Sequence, residues 1–292
     1  MLQHMIFISL NLKERKEIHM KRFTALLLVL LIVLSGCSSN NDPQPDEPKT
    51  FTVGMEVNYA PFNYQLATPT NTSVAIDGGY ADGYDVMIAQ KIADALGLQL
   101  VIKQIAWNGL GLALESGEID AIIAGMTANE EREEGIDFTT PYYDSHGMIM
   151  IVRADSEMAG YTDIQQFSGH NIVGQLNTTY DEVIDQIIGV NHVTPKTTYP
   201  EMIVALQQGE VDGITAEMAV AVSILASNPD LTVVHFAEGC GFEADTTVSI
   251  GLKEGSRGTD FFNAVQAALD AISEETREAC MVDAVAKQPS EN

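Results

Sequence analysis

Two stretches decide the reading of this chain: ALESGEIDAI (113–122) and ALQQGEVDGI (205–214). Each reads as the end of a helix, a glycine where a C-cap belongs, and then a strand. One helix–turn–strand unit used twice predicts two similar α/β lobes. Upstream of the first copy, LQLVIKQI (98–105) and FTVGMEV (51–57) have the apolar, β-branched character of strands. Between them DVMIAQKIADALG (85–97) places Ile88, Ile92 and Leu96 four residues apart and ends on Gly97, the pattern of a helix and its cap. Such alternation predicts α/β lobes, each a largely parallel sheet flanked by helices. Ligands of open parallel sheets bind beyond the carboxyl ends of the strands. The equivalent strand ends, Gly125 and Glu217, are therefore expected to face each other across a cleft.

The N-terminus reads differently. Lys21 and Arg22 precede an apolar run, Thr24 to Leu34, that is too short for a stable membrane span. Leu34-Ser35-Gly36-Cys37 follows and looks like a lipobox, with Cys37 as the lipid-bearing first residue. Residues 1–36 are read as a signal peptide, with Met20 an alternative start. Residues 37–49, polar and proline-rich, are read as a flexible tether. About 240 residues remain for the folded part, enough for one large domain or two modest ones.

The chain has 15 basic and 41 acidic residues, a formal charge of −26. That charge excludes nucleic acid as a natural partner, because phosphates would be repelled. It permits steering of cations and is also what a solvated acidic surface looks like. The six histidines show no metal-ligand spacing, and no cofactor motif or phosphate-binding glycine loop is present. Beyond Cys37 the cysteines are Cys240 and Cys280; export permits a disulfide between them, and the sequence leaves that pairing open. Arg132 is the one cation in IDAIIAGMTANEEREEGIDFTTPYYDS (119–145), among many carboxylates. Its spacing favours ion pairing with helical neighbours; an anion arriving from outside is the other reading.

Five motifs carry a specific resemblance: NYAPFNY (58–64), GYADGYDVMIAQKIADALG (79–97), WNGLGLALESGEIDAIIAGMTANEER (107–132), DFTTPYYDS (137–145) and GQLNTTYDEV (174–183). In this order they resemble the polar amino-acid family of extracellular solute-binding lipoproteins of ABC importers, bacterial solute-binding protein family 3. The resemblance implies a two-lobed periplasmic-binding-protein-like fold with a hinge. Residues 50–145 would open the first lobe, 146–240 would form the second, 241–286 would return to the first with a C-terminal helix, and 287–292 would be a tail. The crossings near Asp144–Met148 and Gly239–Asp245 would act as hinges.

The same resemblance implies ligand roles. Arg132 would grip the α-carboxylate of an amino acid, in a planar geometry lysine cannot copy. Thr127, Gly125 and the Thr178–Thr179 loop would assist it, although those threonines also suit an ordinary helix cap. Glu217 would hold the α-ammonium, where the family usually has aspartate, so the pocket must differ in detail. Tyr59 and Trp107 would sandwich the ligand side chain, and Glu56 and Gln175 would meet its far end. Two carboxylates against one arginine predict a basic ligand (lysine, arginine or ornithine), since an unpaired buried carboxylate is costly. A neutral polar ligand such as glutamine is the alternative. The partners implied are a free amino acid, an ABC permease with its ATPase, and the membrane through Cys37; a monomer is expected. A rival of another class is an exported cyclohexadienyl dehydratase, which shares the fold and would use Glu217 or Glu56 as general acid.

Overall fold

The computed structural model describes residues 49–145 and 147–289. The stretches read as a signal peptide with a lipobox at Cys37 and most of the stretch read as a tether, together with His4, His19, His146 and residues 290–292, lie outside the described residues. In chain order the strands are β1 (Thr50–Met55), β2 (Asn58–Tyr59), β3 (Asn63–Leu66), β4 (Val74–Ile76), β5 (Gly79–Asp82), β6 (Gln99–Gln104) and β7 (Ala121–Ile122). They continue with β8 (Ile136–Asp144), β9 (Met148–Arg153), β10 (Asn171–Val173), β11 (Asn191–His192), β12 (Gly213–Glu217), β13 (Leu231–Val234) and β14 (Thr247–Lys253). The α-helices are α1 (Tyr84–Leu96), α2 (Leu110–Ser116), α3 (Glu130–Glu133), α4 (Thr179–Glu182), α5 (Tyr199–Gln208), α6 (Met218–Ser227), α7 (Asp260–Asp270) and α8 (Glu274–Lys287).

The strands form two five-stranded sheets, ordered β6-β1-β7-β14-β8 and β11-β10-β12-β9-β13. In the first sheet β1 runs parallel to β6 and β7, and β14 runs antiparallel to both β7 and β8. In the second β10 runs parallel to β11 and β12, and β9 runs antiparallel to β12 and β13. Each sheet thus holds one reversed strand, β14 or β9, and each of these follows a passage of the chain from the other sheet. Between β8 and β9, and again between β13 and β14, the chain changes sheets. The two passages are stitched together at Thr246: its carbonyl accepts from the Ser145 hydroxyl at 3.2 Å, and its hydroxyl donates to Asp144 Oδ1 at 3.1 Å.

The echoed unit folds the same way twice. Helix α2 ends on Gly117 and α5 on Gly209, both left-handed with φ 76°. After each glycine the next N–H reaches back 2.9 Å, Glu118 to the Ala113 carbonyl and Glu210 to the Ala205 carbonyl. The aspartate that follows is used identically. Asp120 Oδ2 accepts the Thr52 N–H at 2.8 Å and Asp212 Oδ2 accepts the Asn171 N–H at 2.9 Å, so each clamps the unit's strand to its parallel neighbour. Phe51, Val53, Met55, Ile88, Ile92 and Ile122 are fully buried around the first sheet. Met150, Ile151, Val152, Ile172 and Ile214 are fully buried around the second.

Two features differ from the sequence reading. A third, antiparallel sheet, β2-β3-β5-β4, covers residues that were read only as motifs. Its strands are two to four residues long, too short to show a clear alternation. The disulfide left open between Cys240 and Cys280 is not formed; both thiols are free. Cys280 is buried in α8 within the core that includes Phe51 and Val53. The Cys240 carbonyl accepts the Ile164 N–H, which holds its segment beside the second lobe.

Candidate functional site

The strands of both lobes deliver their carboxyl ends to one nearly closed cavity of only about 20 Å³, room for about one water molecule. Glu56, Tyr59, Trp107, Gly125, Thr127 and Arg132 line it from the first lobe, and Gln175, Thr178 and Thr179 from the second. Nine of the ten residues expected to touch a ligand therefore meet there. The tenth, Glu217, lies immediately behind.

Arg132 sits in α3, whose N-cap Asn129 accepts the Arg132 N–H at 2.9 Å. Its guanidinium turns away from the acidic helix. Nη1 donates to the Thr127 carbonyl at 2.8 Å and Nη2 to the Asn177 carbonyl at 3.1 Å. The group lies 5.2 Å over the Trp107 ring, a cation–π arrangement. Among the described residues it forms no ion pair with a helical neighbour. Burial lowers the Arg132 pKa, while the charges of Glu182 and Glu131 work the other way. A guanidinium held by carbonyl oxygens and lacking a carboxylate is ready for an anionic ligand.

Gly125 is needed at its position for two reasons. Its φ is 62°, and a Cβ there would come within 2.9 Å of the Tyr59 ring. Its N–H donates to the Tyr142 hydroxyl at 3.1 Å. The carbonyl is therefore the backbone group it can offer a ligand. Thr178 is the N-cap of α4 without using its side chain as a cap; the hydroxyl donates to the Gln175 carbonyl at 2.7 Å. The Thr179 hydroxyl is buried and has no hydrogen-bond partner. A buried polar atom left unmatched in a cavity wall is where a ligand atom gains most.

Glu217 ends β12 with no exposed surface. Its Oε1 accepts from the Tyr59 hydroxyl at 2.5 Å and from the Tyr180 hydroxyl at 2.9 Å, while Oε2 accepts no hydrogen bond. Burial raises its pKa, opposed by the hydroxyls of Tyr59 and Tyr180 that donate to it. The Tyr59–Glu217 bond joins the two lobes. So do the bond from Gln175 Nε2 to Glu56 Oε2, at 3.2 Å, and the bond from Trp107 Nε1 to the Asn177 carbonyl, at 3.1 Å. Burial also raises the Glu56 pKa, with the Gln175 amide lowering it and the Glu201 charge adding to the rise.

The aromatic residues are arranged less simply than a ligand sandwich. Tyr59 stacks on Phe62 with centroids 5.2 Å apart and meets Tyr199 of the second lobe at 5.4 Å. Its ring is thus largely engaged by protein, and Trp107, half-buried, is the aromatic beside the cation.

Three site residues escaped the sequence reading. Asn177 adopts φ 59°, its carbonyl accepts from both Arg132 and Trp107, and its amide donates to Asn108 at 2.8 Å. Asparagine tolerates the left-handed region better than most residues, which was the available signal. Tyr180 and Tyr199 carried no such signal, since a buried tyrosine is ordinarily core.

The chain is similar in sequence and fold to known proteins. A probable histidine-binding protein of Campylobacter jejuni is 28% identical over 219 residues, 73% of this chain and 80% of that protein. The arginine-binding extracellular protein ArtP of Bacillus subtilis is 25% identical over 249 residues, 84% of this chain and 91% of that one. In structure, an amino acid ABC transporter substrate-binding protein from Streptococcus pneumoniae bound to L-arginine superposes with TM-score 0.70 at 26% identity, over 81% of this chain and 94% of that one. These are solute-binding proteins, not enzymes, and the dehydratase reading is not carried forward. The fold is the two-lobed one of amino-acid-binding proteins. With a match over residues 51–279, the chain belongs to the bacterial extracellular solute-binding proteins, family 3.

Proposed function

We propose that this protein captures a basic amino acid, L-arginine foremost, between its lobes and hands it to an ABC permease. The observation that carries the reading is the charge balance of the site. Two buried carboxylates, Glu56 and Glu217, stand against one guanidinium, Arg132. A zwitterion with a cationic side chain supplies one anion and two cations, which matches that set. Arg132 would take the α-carboxylate with Thr127, Thr178 and Thr179, and Glu217 the α-ammonium once Tyr59 yields its place. Glu56 and Gln175 would receive the far end beside Trp107. The names of relatives that bind arginine and histidine support a nitrogen-rich ligand.

Capture would proceed by hinge closure at the two passages joined by Thr246. The ligand touches both lobes and so favours the closed arrangement by its differential affinity. A lipid on Cys37 would keep the protein near the permease, two acyl chains giving the stable anchoring that one does not.

Calorimetric titration of the protein, freed of carried-over ligand, against the common amino acids and ornithine tests this. L-Arginine, L-lysine or L-ornithine is expected to bind at micromolar Kd or tighter, about −8 kcal/mol. Binding of L-glutamine alone would overturn the charge argument while leaving the transport role intact.

A further inference from the structure

Beneath the cavity lies a carboxylate that the ligand roles do not use. Asp85 is fully buried in the first turn of α1. It makes two side-chain hydrogen bonds that lead in different directions. Its Oδ1 accepts from the Tyr142 hydroxyl at 2.7 Å, and the Tyr142 oxygen in turn accepts the Gly125 N–H at 3.1 Å. Its Oδ2 accepts from Asn63 Nδ2 at 2.8 Å, and Asn63 Oδ1 accepts the Val57 N–H at 2.7 Å. Gly125 lines the cavity three residues past β7, and Val57 follows Glu56, which lines it directly after β1. Gly125 and Val57 both have positive φ, 62° and 60°. For Val57, β-branched, that conformation is strained and persists only where its surroundings hold it.

We propose that Asp85 is the positioning residue of the first-lobe half of the site, fixing Gly125 and the Glu56–Val57 turn from a single point through Tyr142 and Asn63. The reason is the one-way chemistry of a carboxylate. An ionised carboxylate only accepts, so Tyr142 must donate to it and present an oxygen to Gly125. For the same reason Asn63 must turn its NH2 toward Asp85 and its oxygen toward Val57. No neutral side chain of this shape imposes both orientations. The positive end of α1 favours the charge there. The role rests on the reading of the cavity as the ligand site, but its geometry can be tested without a ligand.

The test is amide hydrogen exchange at Val57 and Gly125, read by NMR at pH 8 with no amino acid added. In Asp85→Asn the new NH2 must face either Asn63 or Tyr142, so one chain of bonds is broken. Exchange at one or both amides is expected to quicken about tenfold, the weight of one buried hydrogen bond. The exchanged pair Asn63→Asp with Asp85→Asn restores every donor to an acceptor and is expected to return both rates to the wild-type values. Tyr142→Phe cuts only one chain and is expected to quicken Gly125 while leaving Val57 unchanged. Unchanged rates in Asp85→Asn, no rescue by the exchanged pair, or equal effects of Tyr142→Phe on both amides would each overturn the proposal. If Asp85→Asn does not fold, the exchanged pair and Tyr142→Phe decide it. L-Arginine titration of the same variants separates the two readings. Loss of exchange protection with no wild-type arginine binding would sink the ligand assignment and leave the positioning role standing.

Discussion

The two lobes start from the same unit and finish differently. In both, a helix closes on a left-handed glycine and an aspartate, Asp120 or Asp212, clamps the following strand to its neighbour at nearly the same distance. Beyond that point the copies part. The first runs on to Gly125, which contributes backbone held in place through Tyr142. The second ends on Glu217, a buried carboxyl group held by two tyrosine hydroxyls. The fold is therefore carried by residues the lobes share, and the recognition chemistry by the few just past them, where they do not.

The largest expected effect falls on the first lobe's cation. Arg132→Ala should cost about 3–5 kcal/mol of arginine affinity, because it strands the ligand carboxylate in a buried site. Arg132→Lys should recover little of it, since lysine cannot reproduce the planar two-bond contact. Titration calorimetry of the two variants checks both, and a lysine variant of near wild-type affinity would break the assignment.

Next in size is a pH effect at Asp85. Its pKa is pushed from 3.8 to about 7, chiefly by burial. The Tyr142 hydroxyl and Asn63 amide oppose the shift, the Glu217 charge adds to it, and the Gly125 N–H opposes it. A raised carboxyl pKa means that the fold binds the proton more tightly than the unfolded chain does. The associated stability is full below about pH 4 and is lost as pH rises through about 7, a change on the order of 4 kcal/mol. Unfolding free energies of wild type and Asp85→Asn across pH 4–8 should therefore diverge with that slope; parallel curves would contradict it.

A smaller effect is expected on the second lobe. Glu217→Gln keeps an acceptor for Tyr59 and Tyr180 but removes the charge, and should weaken arginine binding about tenfold to a hundredfold. The same change should flatten the loss of stability that the wild type shows as pH rises through the raised Glu217 pKa. An affinity unchanged by Glu217→Gln would mean that the ammonium binds elsewhere.

The smallest contrast lies between the shared clamps. Asp120→Ala and Asp212→Ala should each cost about 1 kcal/mol, the weight of one strand-to-side-chain hydrogen bond. Asp212 also meets Arg153 at 3.5 Å and His170 at 3.7 Å, so its loss should be the greater, visible as the lower Tm. The reverse order would show that the two units are less equivalent than their geometry.

How much was legible beforehand follows the same division. The echo, the glycine caps and the alternation of strand and helix are local patterns, and they led to two lobes with largely parallel sheets. The cavity also gathers Arg132, Trp107 and Gln175 as the motif resemblance implied. What could not be read were long-range pairings: the reversed strands β9 and β14, the lobe-bridging Asn177, and Asp85 joining Val57 to Gly125. Each depends on residues distant in sequence, and no periodicity records them. The open cysteine pairing belongs to the same class, since only the packing shows Cys280 buried in one core and Cys240 beside the other lobe.

The most direct test of the central claim, that site charge sets the ligand class, is the ratio of L-arginine to L-glutamine affinity in wild type and in Glu56→Gln. The account predicts that wild type prefers arginine by about a hundredfold or more, roughly the weight of a buried ion pair, and that Glu56→Gln brings the ratio close to one. A wild type that prefers glutamine, or a ratio unmoved by Glu56→Gln, would contradict it.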